Sequence, residues 1–133
     1  MPRGLMDTHT FIWFSLNDPQ LSQVARRFLM DGRNERLLSI ASIWEMAIKA
    51  KTGKLDLKQP LDQFLAQHLI PLRISILPIH LTHTLQVWQL PSPHIDHKDP
   101  FDRLIIAQAI SEKLTLVTTD QELARYDAKI ILA

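Results

Sequence analysis

No cysteine occurs in the 133 residues of this chain, so neither a disulfide framework nor a thiolate metal site is available to it. A long apolar run is missing as well. The opening stretch MPRGLMDTHTFIWFSL is broken by Asp7 and His9, too early for a signal-peptide core or a membrane span. Both absences suit a reducing cytoplasm and a protein with no membrane partner. Charge of one sign is also scarce. The net charge is +1 and the isoelectric point about 8.1, far from the basic excess of many nucleic-acid binders. That balance neither demands nor forbids a phosphate-backbone partner, because a basic rim and an acidic centre cancel in the total. Repeats, low-complexity tracts and Gly/Ser linkers are lacking too, so residues 1–133 read as a single domain.

What is present is an ordinary globular composition, 46% hydrophobic and 22% charged, in a chain long enough to bury a core. Strand-like runs fall at 3–6, 36–39, 73–77, 114–118 and 129–132. Between them lie helix-like stretches. Leu21, Val24, Ala25, Phe28 and Leu29 make an i, i+3, i+4, i+7, i+8 stripe over 20–31, with Gly32 as a stop. A helix over 42–51 ends at Gly53, with Lys49 and Lys51 placed to suit its C-terminal dipole. Leu61, Phe64, Leu65 and Leu69 mark another helix, Leu81, Leu85 and Trp88 one more, and 100–113 a long one opened by Pro100. Strands alternating with helices predict an α/β fold, a five-stranded parallel sheet flanked by helices in three layers.

Four carboxylates sit near strand-to-helix junctions: Asp7, Glu45, Asp102 and Asp120. In an open parallel sheet those junctions share the carboxyl edge, where ligands bind. Acids gathered there repel one another unless a cation holds them. Each also has a structural reading. Asp7 can cap the helix that follows it. Ser42 and Glu45 fit an S-x-x-E capping box, and Thr119 and Glu122 a T-x-x-E box around Asp120. Asp99 is a natural N-cap before Pro100, with Asp102 a favourable first-turn acid. With Ser42, Asp99 and Thr119 serving as caps, Glu45, Asp102 and Asp120 are surplus to capping. Mg²⁺ or Mn²⁺ accounts for surplus carboxylates, since these hard cations favour oxygen ligands and support phosphodiester hydrolysis.

The segments LMDTHTFIW, SIASIWEMAIKAKTGKL, HKDPFDRLIIAQA and LTLVTTD resemble the PIN-domain ribonucleases, and more narrowly the VapC-like toxins of toxin–antitoxin pairs. The resemblance spans essentially the whole chain. It implies a PIN-like fold, a metal-dependent endoribonuclease acting on an RNA substrate, a homodimer, and a cognate antitoxin protein that inhibits it. It places the catalytic and metal-binding quartet on Asp7, Glu45, Asp102 and Asp120. Thr118 matches a supporting hydroxyl position, and Asp99 stays outside the quartet as a cap.

Around the third acid, His94, His97, Lys98 and Arg103 are loop or phosphate-contact candidates, Arg103 foremost because its fork matches phosphate oxygens. Trp13, Phe14 and Trp88 read as core or interface residues rather than base-stacking platforms. Two alternatives come from other classes. Phosphoryl transfer to aspartate, as in haloacid-dehalogenase phosphatases, needs a second Asp two positions after the first, where this chain has His9. Receiver domains need a Lys-Pro pair that is absent here. A non-catalytic metal-binding module of the same fold is the other alternative.

Overall fold

A computed structural model describes residues 2–91 and 99–133. His94, His97 and Lys98 lie outside the described residues. Five strands, β1 (Arg3–Met6), β2 (Glu35–Ser39), β3 (Ile74–Leu77), β4 (Thr115–Thr118) and β5 (Lys129–Leu132), form one sheet in the order β3-β2-β1-β4-β5. Every neighbouring pair is parallel, with Leu5 opposite both Leu37 and Leu116. The helices are α1 (Thr8–Ser15), α2 (Gln23–Met30), α3 (Ile40–Lys51), α4 (Leu61–His68), α5 (Leu81–Trp88) and α6 (Pro100–Glu112), followed by a 3₁₀ helix, Gln121–Arg125. None is long and apolar enough to cross a membrane.

Strand periodicity divides the core into two layers. Successive strand side chains point to opposite faces. Met6, Leu38 and Val117 therefore pack with Phe11, Leu29, Met46 and Phe64 on one face. Leu5, Leu37 and Leu116 pack with Ile105, Ile106 and Leu123 on the other. Covered on both sides, the central strands β1 and β4 are apolar at consecutive positions, as buried parallel strands are. Gly4 has a specific reason to be small: a Cβ there would stand 2.4 Å from a ring carbon of Phe28.

The chain leaves β1 toward β2 on one side and reaches β4 on the other. The topological switch point thus lies between β1 and β4, the position where such sheets bind ligands.

Several sequence expectations shift. Val24 is 63% exposed and Leu21 precedes α2, so the buried stripe of that helix narrows to Ala25 and Leu29, with Phe28 half-buried. Helix α5 forms where expected but faces the other way. Leu81, Leu85 and Trp88 are exposed, while His83 is fully buried. The imidazole is satisfied by partners: Nδ1 accepts from the His80 amide at 3.0 Å, and Nε2 lies 2.9 Å from Glu112. Gln108 of α6 approaches the same Nδ1 at 3.3 Å and accepts the hydroxyl of Ser39 at 2.5 Å. A buried polar chain thereby ties α5 and α6 to the start of α3, where a hydrogen-bonded histidine costs little. Of the three aromatics read as core or interface, Phe14 is buried, Trp13 packs against the core, and Trp88 is exposed.

Candidate active site

Asp7 is the first residue beyond β1, and its side chain does two jobs. Oδ1 caps α1 by accepting the Thr10 amide at 2.9 Å. Oδ2 reaches across the switch point to accept the Thr118 hydroxyl at 2.6 Å and the Thr119 amide at 3.0 Å. Three donors satisfy a carboxylate that is only 6% exposed. Thr118, the last residue of β4, is fully buried, and its Oγ1 accepts the Asp120 amide at 3.0 Å while donating to Asp7. One hydroxyl therefore joins the turns after two adjacent strands.

Glu45 lies one turn into α3 and is 4% exposed. Its Oε1 accepts the Thr8 hydroxyl at 2.5 Å, and its Oε2 meets the ammonium of Lys49 at 2.5 Å. Neither contact is a helix cap. The cap of α3 is Ser39, whose Oγ accepts the Ala41 amide at 2.9 Å. The predicted Ser42–Glu45 capping box is thus absent: β2 runs straight into α3, which begins earlier than expected. Ser42 then falls inside the helix, buried, with its hydroxyl unpartnered among the described residues.

Asp99 caps α6 as expected, accepting the Phe101 amide at 2.9 Å. Asp102 follows in the first turn, half-buried. Asp120 itself caps the 3₁₀ helix, accepting the Glu122 amide at 2.9 Å. It is therefore not surplus to capping, and Thr119, whose amide serves Asp7, is not the cap.

These residues meet in one cleft of about 200 Å³, lined by Asp7, Thr8, His9, Glu45, Lys49, Asp99, Asp102, Thr119 and Asp120. All four quartet acids line it. Arg103, half-buried one residue after Asp102, is not in that described lining. Five lining residues were given no such place from sequence. Asp99 and Thr119 were read only as caps, Lys49 only as a dipole partner, and His9 only as a break in an apolar run. Thr8 had no site role, although its place beside Asp7 at a strand end was a usable signal. For Lys49 the signal was its i+4 spacing from Glu45. The hydrogen bond to Glu45, then the charges of Glu45, Asp99 and Asp102, raise the Lys49 pKa above its ordinary value against the opposing effect of burial.

A single-ligand cage is not preformed: among the described residues no three Asp, Glu or His groups converge on one metal position. The donor set is nonetheless dominated by carboxylates, five of them with one imidazole and no sulfur ligand, inside a volume that admits an ion with water around it. That suits a hard cation such as Mg²⁺, which retains several waters and takes few protein ligands directly.

Residues 5–129 match the PIN domain family model. The chain belongs to the PIN-domain family. Among curated proteins it is similar to Ribonuclease VapC22 of Mycobacterium tuberculosis, with 29% identity over 123 residues, covering 92% of this chain and 91% of that one. Its fold matches a chain of VapBC2 from Rickettsia felis bound to a promoter DNA fragment, with a TM-score of 0.70, 19% identity, and 97% of each chain covered. DNA-bound VapBC from Salmonella typhimurium gives a TM-score of 0.69 at 20% identity, with 98% of each chain covered. The five-stranded parallel sheet and its flanking helices are thus those of this PIN domain's structural relatives.

Proposed function

We propose that this PIN domain is a Mg²⁺- or Mn²⁺-dependent endoribonuclease and the toxin of a toxin–antitoxin pair. The observation that carries the reading is the carboxylate-lined cleft at the β1/β4 switch point of a PIN-family chain. The ribonuclease name of its curated relative supports RNA as substrate, and the VapBC structures support an antitoxin partner. Asp7, Asp102 and Asp120 are the residues that would hold the cation, directly or through water, and Glu45 would ligate it or orient the attacking water. When bound, such a cation supplies charge stabilisation at a phosphate and an acidified water.

The chain's own residues set the rest. Thr118 and the Thr119 amide fix the Asp7 carboxylate through Oδ2, while Oδ1 takes the Thr10 amide and keeps acceptor capacity beyond it. The Thr8 hydroxyl holds Glu45 in place, so that it can orient a water and accept its proton as it attacks phosphorus in line. The bond to the 3′ oxygen breaks, and a 5′-phosphate remains on the other product. Homodimerisation and antitoxin binding both need surface to cover. The exposed stripes Leu81, Leu85 and Trp88 on α5, and Trp44 and Ile48 on α3, supply it.

The test is cleavage of a tRNA and rRNA panel with end-mapping, by wild type and by Asp102→Asn. Wild type should cut with Mg²⁺ or Mn²⁺ and stop on addition of EDTA, and Asp102→Asn should not cut. Cleavage indifferent to EDTA, or equal cleavage by both proteins, would sink the metal-dependent reading.

A further inference from the structure

Within the cleft, charge is lopsided. Lys49 is the only ammonium or guanidinium among the described lining residues, against the carboxylates of Asp7, Glu45, Asp99, Asp102 and Asp120. Helix geometry brings it there: Glu45 lies one turn earlier on α3, and the i,i+4 pair closes at 2.5 Å. The pair is not a surface ion pair. The Glu45 side chain is 6% exposed and the Lys49 side chain 35%, so a partly exposed lysine is paired with a desolvated acid. The remaining oxygen of Glu45 takes the Thr8 hydroxyl. Both carboxylate oxygens of Glu45 are thus taken, one by a neutral donor and one by a cation.

We propose that Lys49 is the built-in counterion of this cleft, holding Glu45 in the metal-free chain and competing with the divalent cation for it. Lys49 thereby sets the cation concentration at which the site fills. This inference rests on the metal-dependent reading above. Its physical basis is that a divalent ion and an ammonium beside one carboxylate repel each other in a site of reduced dielectric. The ammonium must swing toward solvent, or the ion must bind against it. Either way the metal binds more weakly than to the same acids without the lysine. Lys49 is a positioning residue in this account and touches no reacting atom.

The experiment is calorimetric titration of Mn²⁺ alone, without RNA, into the full chain as wild type, Lys49→Gln and Lys49→Arg. Gln keeps a donor for Glu45 and removes the charge, whereas Arg keeps the charge. Lys49→Gln should bind Mn²⁺ about tenfold more tightly than wild type, the scale expected when one repelling unit charge leaves a partly solvated site. Lys49→Arg should bind as wild type does. Equal or weaker binding by Lys49→Gln overturns the proposal, as does equal tightening in Lys49→Arg. Thermal melts provide a second readout: Mn²⁺ should raise the Tm of Lys49→Gln more than that of wild type, and an equal or smaller rise overturns it. If wild type binds no Mn²⁺, the metal reading and this inference fall together. If wild type binds and Lys49→Gln binds no tighter, only the counterion role falls.

Discussion

The two walls of the cleft are built differently. Asp7 and Glu45 are 6% and 4% exposed, and each is gripped from more than one element: Asp7 by α1 and by the turn after β4, Glu45 by Thr8 and by Lys49 on its own helix. Asp102 and Asp120 line the same cleft, half-buried at the starts of α6 and the 3₁₀ helix. The first wall is oriented by hydrogen bonds from more than one element. The second sits at helix starts and is only half-buried. A buried, fully bonded carboxylate resists substitution structurally, whereas a half-exposed one contributes mainly charge.

The largest expected effect separates those two contributions. Asp7→Asn puts an amide donor against the Thr118 hydroxyl or the Thr119 amide, both of which now donate to Oδ2. It should reduce RNA cleavage by more than about a hundredfold, and cost about 1–3 kcal/mol of stability through mispaired buried donors. Asp102→Asn should lose cleavage on the same scale while changing stability by less than about 1 kcal/mol. Urea denaturation beside a gel-based cleavage assay measures both. Equal destabilisation by the two variants would mean that the walls do not differ as described.

Thr118→Val probes the hinge between the walls, since one hydroxyl donates to Asp7 and accepts from the Asp120 amide. Valine matches the shape and removes both bonds. A loss of about 1–2 kcal/mol is expected in denaturation, from a buried carboxylate and amide left short of partners. Cleavage should fall about tenfold, less than for Asp7→Asn, because the acids themselves remain. Thr118→Ser should recover most of both. A valine variant with full activity would show that Asp7 needs no support from β4.

Most of this architecture was legible in the sequence, because strand and helix periods are properties of short windows. Strands at 3–6 and 129–132 needed no change, and the strand-like run at 114–118 forms β4 one residue later, at Thr115–Thr118. Cap assignments were less legible. Two serines flank the start of α3, and only the parallel pairing of Ser39 with Leu77 shows that β2 continues to the helix without a turn. Thr119 offers a capping hydroxyl, yet its amide is drawn to Asp7, which follows a different strand. The outward stripe on α5 was hidden for a similar reason. Leu81, Leu85 and Trp88 have helical spacing, but the buried side is held by His83, whose partners Gln108 and Glu112 lie on α6. Long-range hydrogen bonds decide such faces, and local patterns do not carry them.

Asp99 offers the finest test of the comparison, because it belongs to both descriptions at once. It caps α6 through the Phe101 amide and also lines the cleft. Asn is as good an N-cap as Asp, so Asp99→Asn should change stability by only about 0.3 kcal/mol, mostly through the lost charge at a helix start. The same substitution removes one of five negative charges from the cleft. If the exposed wall acts through charge, Mn²⁺ affinity measured by calorimetry should fall severalfold, with α6 as stable as before. If affinity is unchanged, the charge that attracts the cation resides in the quartet alone, and Asp99 returns to being a cap. A loss of more than about 1 kcal/mol would point the other way, to a role for the Asp99 charge in folding that its hydrogen bonds do not account for.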